Sequence, residues 1–258
     1  MDLTGVSAIV TGGAGGLGEG TVRRLVEAGV KVVIADLSDE HGKALEAELG
    51  AENARFVSTN VLDSDSLQNA IDVAASLGAF RIAAAAHGAT EGGLSRILDR
   101  ECNPYDLDSF RRTIDIYLTG TFNVTRLAAA AIAKTEPIAS DQRGVIVNTA
   151  SIAAFEGQPG QSAYSAAKGG VVGLGLVAAR DLSKLGIRVM TIAPGTFFTP
   201  AFRMEREDAE ARFGTAVPNP RRMGSPDEYG LLVRQIAEND YLNGECIRLD
   251  GALRFAMK

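Results

Sequence analysis

The chain has 258 residues, a length suited to one large α/β domain or two small ones. Hydrophobic residues make up 46% and the net charge is −6, which argues against disorder and against a general nucleic-acid binder. Cys102 and Cys246 are too few and too far apart for a disulfide framework or a zinc site, so no metal is expected.

In chain order, apolar runs of strand length alternate with helical segments. The N-terminus, Met1 to Gly5, leads straight into the strand Val6–Thr11 without the basic start and long apolar run of a signal peptide. No window reaches membrane-spanning length uninterrupted, so the expectation is a soluble cytoplasmic protein. Gly18–Ala28 reads as a helix, Lys31–Asp36 as a strand, and Ser38–Leu49 as a helix closed by Gly50. Arg55–Thr59 follows as a strand, Ser64–Leu77 as a helix, and Arg81–Ala86 as a buried strand of small residues. Ser109–Lys134 reads as one long helix, Val145–Thr149 as a strand, and Ser162–Leu185 as another long helix. Arg188–Ile192 and Glu245–Leu249 close the set. This alternation predicts right-handed βαβ crossovers in a Rossmann-like, doubly wound parallel sheet covered on both faces. Without a Pro/Ser-rich linker or a repeat, one domain over residues 1–258 is expected. Two irregular stretches, 89–107 and 196–222, follow strands, where ligands of such sheets bind.

The segment from Thr11 through Gly12, Gly15, Gly16, Leu17 and Gly18 joins the first strand to the first helix. Glycines there allow a tight turn and close approach of backbone N–H groups to a pyrophosphate at a helix N-terminus. Asp36 ends the second strand, where a carboxylate can accept hydrogen bonds from an adenosine ribose and repel a 2′-phosphate. With no Arg or Lys in the glycine loop to compensate, NAD is favoured over NADP.

Tyr164 and Lys168 stand four residues apart and so share a helix face, and Ser151 lies thirteen residues before the tyrosine. A cation beside a phenol favours the phenolate and lowers the tyrosine pKa from its usual ~10, which suits proton exchange near neutral pH. Ser151 can then hold a substrate oxygen.

These features together resemble the short-chain dehydrogenase/reductase family. Thr11–Gly18 matches its glycine motif, Ser151, Tyr164 and Lys168 match its catalytic residues, and Pro194-Gly195 matches the pair after its sixth strand. Within the family the chain is most similar to the type 2 3-hydroxyacyl-CoA dehydrogenases, which also oxidise hydroxysteroids. That likeness is carried by Gly120 to Val124, Gln142 to Ser151, Ala153 to Gln158, Arg188 to Gly195 and Leu242 to Ala252. The resemblance implies that Tyr164, as phenolate, takes the hydroxyl proton while hydride leaves to nicotinamide. It implies that Lys168 lowers the Tyr164 pKa and bonds the nicotinamide ribose, and that Ser151 orients the substrate oxygen. Asp36 and Leu37 would meet the adenosine ribose, and Asn60 and Val61 the adenine. Ala86, His87 and Gly88 would line the cofactor, and Pro194, Gly195, Thr196 and Phe197 would cover its nicotinamide side. Gln158 would join Ser151 and Tyr164 against the substrate. Long helices with small residues such as Ala128 to Ala131 form subunit interfaces in this family, so a homodimer or homotetramer is implied.

Three positions depart from the family pattern. Tyr117 stands where the family has an Asn that supports a water relay from the lysine. Asn123 is no substitute, because six residues at roughly 100° each place it on another helix face. The fourth strand ends Ala85-Ala86-His87-Gly88 rather than Asn-x-Ala-Gly, leaving His87 either as a titrating group or as packing. Asn60 replaces an Asp. His41 reads as surface.

The substrate is less legible. Arg96, Arg100, Arg203, Arg206, Arg212, Arg221 and Arg222 could meet the phosphates of a CoA, or belong to a solvated charged lid with Glu205, Glu207, Asp208 and Glu210. Phe197, Phe198, Phe202 and Phe213 could line an apolar pocket or anchor that lid. The expected substrate is an apolar hydroxy or keto compound, with a 3-hydroxyacyl-CoA leading and a hydroxysteroid or other bulky alcohol second. A scaffold or sensor that keeps NAD but turns over weakly is the competing class.

Overall fold

The computed structural model describes residues 1–88, 95–202 and 204–256. Seven strands, β1 (Val6–Thr11), β2 (Lys31–Asp36), β3 (Ala54–Ser58), β4 (Ala79–Ala85), β5 (Gly144–Thr149), β6 (Ile187–Pro194) and β7 (Cys246–Leu249), form one sheet. Its order is β3-β2-β1-β4-β5-β6-β7, and every pair is parallel. The order reverses between β1 and β4, which opens a crevice beyond the carboxyl ends of those strands.

Alternate strand residues serve opposite faces, so both faces need cover. On one face Ala8, Val10, Ile34 and Ile82 pack with Val22, Leu25 and Tyr229, from helices α1 (Gly16–Glu27) and a later helix at Pro226–Glu238. Leu45 of α2 (Asp39–Leu49) joins them. On the other face Ile9, Val33 and Ile146 pack with Leu67 and Ile71 of α3 (Ser64–Leu77). Val124 and Ile132 complete that side, on the helical stretch α4 (Leu107–Ile114) to α5 (Gly120–Ile132), together with Ala178 of α6 (Ser162–Asp181). Ala128 and Ala129 are buried in the same core, so part of the alanine run serves helix–sheet packing within the chain.

The expected long helix runs through residues 107–132 with an interruption. Asp115–Thr119 forms a π-helical turn between α4 and α5, and Tyr117 is its central residue. Such one-residue insertions re-aim side chains and concentrate at functional sites. The stretch 196–222 holds α7 (Arg206–Phe213), and α8 (Pro226–Glu238) follows it. α8 begins with a capping box: Ser225 Oγ accepts from Asp227 N–H at 3.2 Å, and Glu228 Oε2 accepts from Ser225 N–H at 2.9 Å. Two glycines let its backbone touch α1, since a Cβ on Gly230 would stand 2.2 Å from the Gly20 carbonyl oxygen. Among the described residues no helix is long and apolar enough to cross a membrane, and no cluster of metal-ligating side chains occurs.

Candidate active site

The glycine loop lies at the sheet's reversal point. Gly12 has φ +69°, and a Cβ there would stand 2.5 Å from His87 Cα, so only glycine lets the ends of β1 and β4 meet this closely. A Cβ on Gly18 would collide with the Gly12 carbonyl oxygen. At Gly15, by contrast, a Cβ would meet nothing within 4 Å. Gly15 caps α1 without any side-chain hydrogen bond, so no capping side chain ties up the first N–H groups of the helix. An open glycine surface at a positive helix end fits a pyrophosphate.

Asp36 braces this loop. Its carboxylate accepts from Ala14 N–H and from Ser38 N–H, each at 3.0 Å. A cavity of about 990 Å³ is lined by Gly12, Asp36, Leu37, Asn60, Val61, His87 and Gly88, which brings seven of the residues expected at the cofactor to one space. Asn60 Oδ1 accepts from Leu62 N–H at 3.0 Å, which leaves one lone pair of the acceptor expected for adenine. Asn123 faces this loop and not the lysine: its Nδ2 donates to the Val61 carbonyl at 2.7 Å.

Residues 95–106 supply another wall of the same cavity through Ser95, Arg96, Asp99, Asn103, Pro104, Tyr105 and Asp106. The described part of this first loop therefore covers the Asp36 end of the crevice. Residues 89–94 and Arg203, also expected near the substrate, lie outside the described residues. The same loop, through Ser95, Arg96 and Ile97, also lines a groove of about 430 Å³ together with Gln158, Gln161, Ser162 and Ser165. Gln158 Nε2 donates to the Ala256 carbonyl at 3.3 Å, tying it to the C-terminal segment.

Leu17 packs against the core, Ala86 N–H donates to the Thr11 carbonyl at 3.0 Å, and Gly195 N–H donates to the Leu249 carbonyl at 2.9 Å. Pro194 ends β6 and is buried, and the Thr196 carbonyl accepts from Gly224 N–H at 2.9 Å. Phe197 departs from its expected role. Its ring turns into the core, edge-on to Tyr229 at 6.5 Å, so this position offers the crevice its backbone alone. The remaining lid aromatics pack on each other: Phe198 stacks on Phe202 at 6.5 Å, and Phe202 meets Phe213 at 5.3 Å. Arg206 and Arg212 cover Phe198 and Phe213, while Arg222 pairs with Glu228 at 2.7 Å. These contacts favour an internally tied, charged lid over a row of arginines held ready for phosphates.

Ser151 follows β5, and its Oγ accepts from Ala153 N–H at 3.1 Å, with the hydroxyl set towards the Tyr164 phenol. Lys168 is 3% exposed, and its Nζ donates to the Thr149 carbonyl at 2.7 Å. Thr149 is held in turn: its Oγ1 donates to the Ala85 carbonyl at 2.6 Å and so accepts from the Tyr229 hydroxyl, also at 2.6 Å. Thr149 and Tyr229 were not anticipated from the sequence, although Thr149 ends a strand two residues before Ser151.

The electrostatics correct one expectation. Burial pushes Tyr164 up to about 12, with Tyr117 adding to the rise and the Ser151 hydroxyl opposing it. Burial also brings Lys168 down to about 7. Desolvation of both groups therefore outweighs the lowering expected from a cation beside a phenol. Lys168 Nζ is 5.8 Å from the Tyr164 ring centre but 4.6 Å from that of Tyr117. His87 is a structural residue here. Nε2 can only donate to the Ile116 carbonyl, at 3.1 Å, so in the neutral ring Nδ1 accepts from Thr11 Oγ1 at 2.8 Å. Burial, and then the charge of Lys168, bring His87 down to about 4. His41 is exposed.

The comparisons with known proteins agree with this geometry. A family model described as short chain dehydrogenase matches residues 7–210. The 3-hydroxyacyl-CoA dehydrogenase type-2 of Homo sapiens is 44% identical, with 98% of this chain and 96% of the relative covered. A 2,5-dichloro-2,5-cyclohexadiene-1,4-diol dehydrogenase of Sphingobium indicum is 33% identical over 97% of both chains. The crystal structure of a 3-hydroxyacyl-CoA dehydrogenase type-2 from Mycobacterium avium superposes with TM-score 0.95 at 55% identity, covering 98% of each chain. The glycine loop at the sheet reversal, with Ser151, Tyr164 and Lys168 gathered beyond β5, thus belongs to a member of the short-chain dehydrogenase family, an oxidoreductase acting on CH–OH groups.

Proposed function

We propose that the chain interconverts a 3-hydroxyacyl-CoA and the 3-oxoacyl-CoA with NAD as the acceptor. The observation that carries the reaction is the Ser151 hydroxyl set against the buried Tyr164 phenol, with Lys168 buried beside it. The likeness to relatives named for 3-hydroxyacyl-CoA supports the substrate. The Asp36 carboxylate on the cavity wall supports NAD over NADP, because a 2′-phosphate there would meet like charge.

The first N–H groups of α1 and the open face of Gly15 would hold the pyrophosphate, and Asp36 the adenosine ribose. Bound NAD supplies the acceptor for the hydrogen and electron pair that leave the alcohol carbon. Ser151 Oγ holds the substrate oxygen, and Tyr164 Oη takes the hydroxyl proton as the C=O bond forms. Lys168 favours the phenolate electrostatically once it is charged. Substrate and cofactor replace the remaining water, which strengthens that attraction.

Assembly through the outer faces of α5 and α6 accompanies this reading, supported by Phe122, Leu176 and Val177, which stand exposed there. The test is NADH formation across 3-hydroxyacyl-CoAs, hydroxysteroids and simple secondary alcohols, with NAD and NADP compared. The highest kcat/KM is expected with NAD and a hydroxyacyl-CoA. Preference for NADP, or turnover confined to another class, would overturn the assignment.

A further inference from the structure

Lys168 has an uncommon setting. Its Nζ gives one proton to the Thr149 carbonyl at 2.7 Å and lies 4.6 Å from the centre of the Tyr117 ring. The same ring meets Tyr164 edge-on, with centres 5.1 Å apart and planes at 85°. A ring face attracts a cation without accepting its proton, and the attraction grows when water is excluded.

The surroundings hold that ring in place. Tyr117 sits in the middle of the π-helical turn Asp115–Thr119. His87 grips the turn through the Ile116 carbonyl at 3.1 Å and is itself held by Thr11 at 2.8 Å. A Cβ on Gly120 would stand 3.0 Å from His87 Nε2, and one on Gly88 would stand 3.3 Å from Tyr117 Cε1. A side chain at either glycine would crowd these neighbours.

We propose that Tyr117 is a positioning residue that holds Lys168 through the face of its ring, with His87 securing the turn that presents it, so that a π face is the lysine's partner on that side. The inference rests on the reading of Ser151, Tyr164 and Lys168 as the redox site. The titratable groups that face Lys168 are Tyr164 on its own helix, Tyr117 on the π-helical turn and His87 beyond β4, while β5 offers the Thr149 carbonyl. Of these, Tyr117 presents its face nearest the ammonium, at 4.6 Å against 5.8 Å for Tyr164.

The test follows the titration of Lys168 by NMR of ¹³Cε-labelled lysine in wild type, Tyr117→Phe, Tyr117→Leu and Tyr117→Met, without cofactor or substrate. Tyr117→Phe keeps the ring and should leave the lysine midpoint in place. Tyr117→Leu removes the π face, which should lower the midpoint by about one pH unit. Tyr117→Met repeats the removal with a more adaptable side chain, should the leucine variant fail to fold. A midpoint unchanged in either folded ringless variant would overturn the proposal, as would an equal shift in Tyr117→Phe, which would assign the effect to the hydroxyl. The lysine titration needs no turnover. Loss of the dehydrogenase reading, through full turnover by Tyr164→Phe, is therefore a separate outcome.

Discussion

Acid should destabilise this fold through His87, and the size of the effect follows from its site. The imidazole has a folded pKa lowered to about 4 from 6.5, because burial and the Lys168 charge disfavour its proton. In the unfolded chain it titrates near its ordinary value. The unfolded state therefore binds the extra proton first, and stability falls as pH drops from about 6.5 towards about 4. Above that window His87 is neutral in both states and contributes no slope. Integrating between these limits gives a loss of about 2 kcal/mol by pH 5 and about 3 kcal/mol below both values. Carboxylates titrate in the same range, so the informative quantity is a difference between two proteins. Urea unfolding of wild type and His87→Gln at pH 7.5 and pH 5 isolates it, since the amide carries no titratable proton. Wild type should lose about 2 kcal/mol more than the variant over that interval. Parallel losses would refute the neutral, buried imidazole. The baseline cost of the substitution does not enter, because only the change with pH is compared.

Two further substitutions probe the cofactor end. Asp36→Ala should weaken NAD binding about 10–100-fold by isothermal titration, the value of hydrogen bonds to a charged group; unchanged affinity would remove Asp36 from the ribose site. Gly12→Ala combines a left-handed backbone with a Cβ 2.5 Å from His87 Cα. It should cost about 2 kcal/mol or more in denaturant unfolding and loosen NAD binding; wild-type behaviour in both would show that the loop shifts without penalty.

Much of the frame was legible because period and punctuation agree. The bounds of β1, β2 and α3 follow directly from apolar runs ended by Asp or Gly residues. The Tyr164–Lys168 pair was legible because i and i+4 positions of a helix meet whatever surrounds them. Three features were not. The π-helical turn at Asp115–Thr119 adds one residue to a helix whose apolar pattern reads as continuous, and periodicity over 107–132 does not show a one-residue insertion. The helices expected from the sequence do not include α8, although Ser225, Pro226 and Glu228 together spell a helix start. The direction of the Tyr164 shift depends on burial, which a spacing rule omits, and the phenol and lysine both lie deep. The lid aromatics show the same limit: the sequence leaves the four phenylalanines either lining a pocket or anchoring the lid, and packing decides that Phe197 enters the core while Phe198, Phe202 and Phe213 hold one another.

One measurement tests the role of Tyr164 directly. Wild type and Tyr164→Phe are compared for NADH formation from a 3-hydroxyacyl-CoA, with NAD affinity measured on the same preparations. The account predicts that the phenylalanine variant binds NAD within a few-fold of wild type yet loses at least about 10²-fold in kcat, as expected when a positioned proton acceptor is removed. Turnover at the wild-type rate by Tyr164→Phe would contradict it.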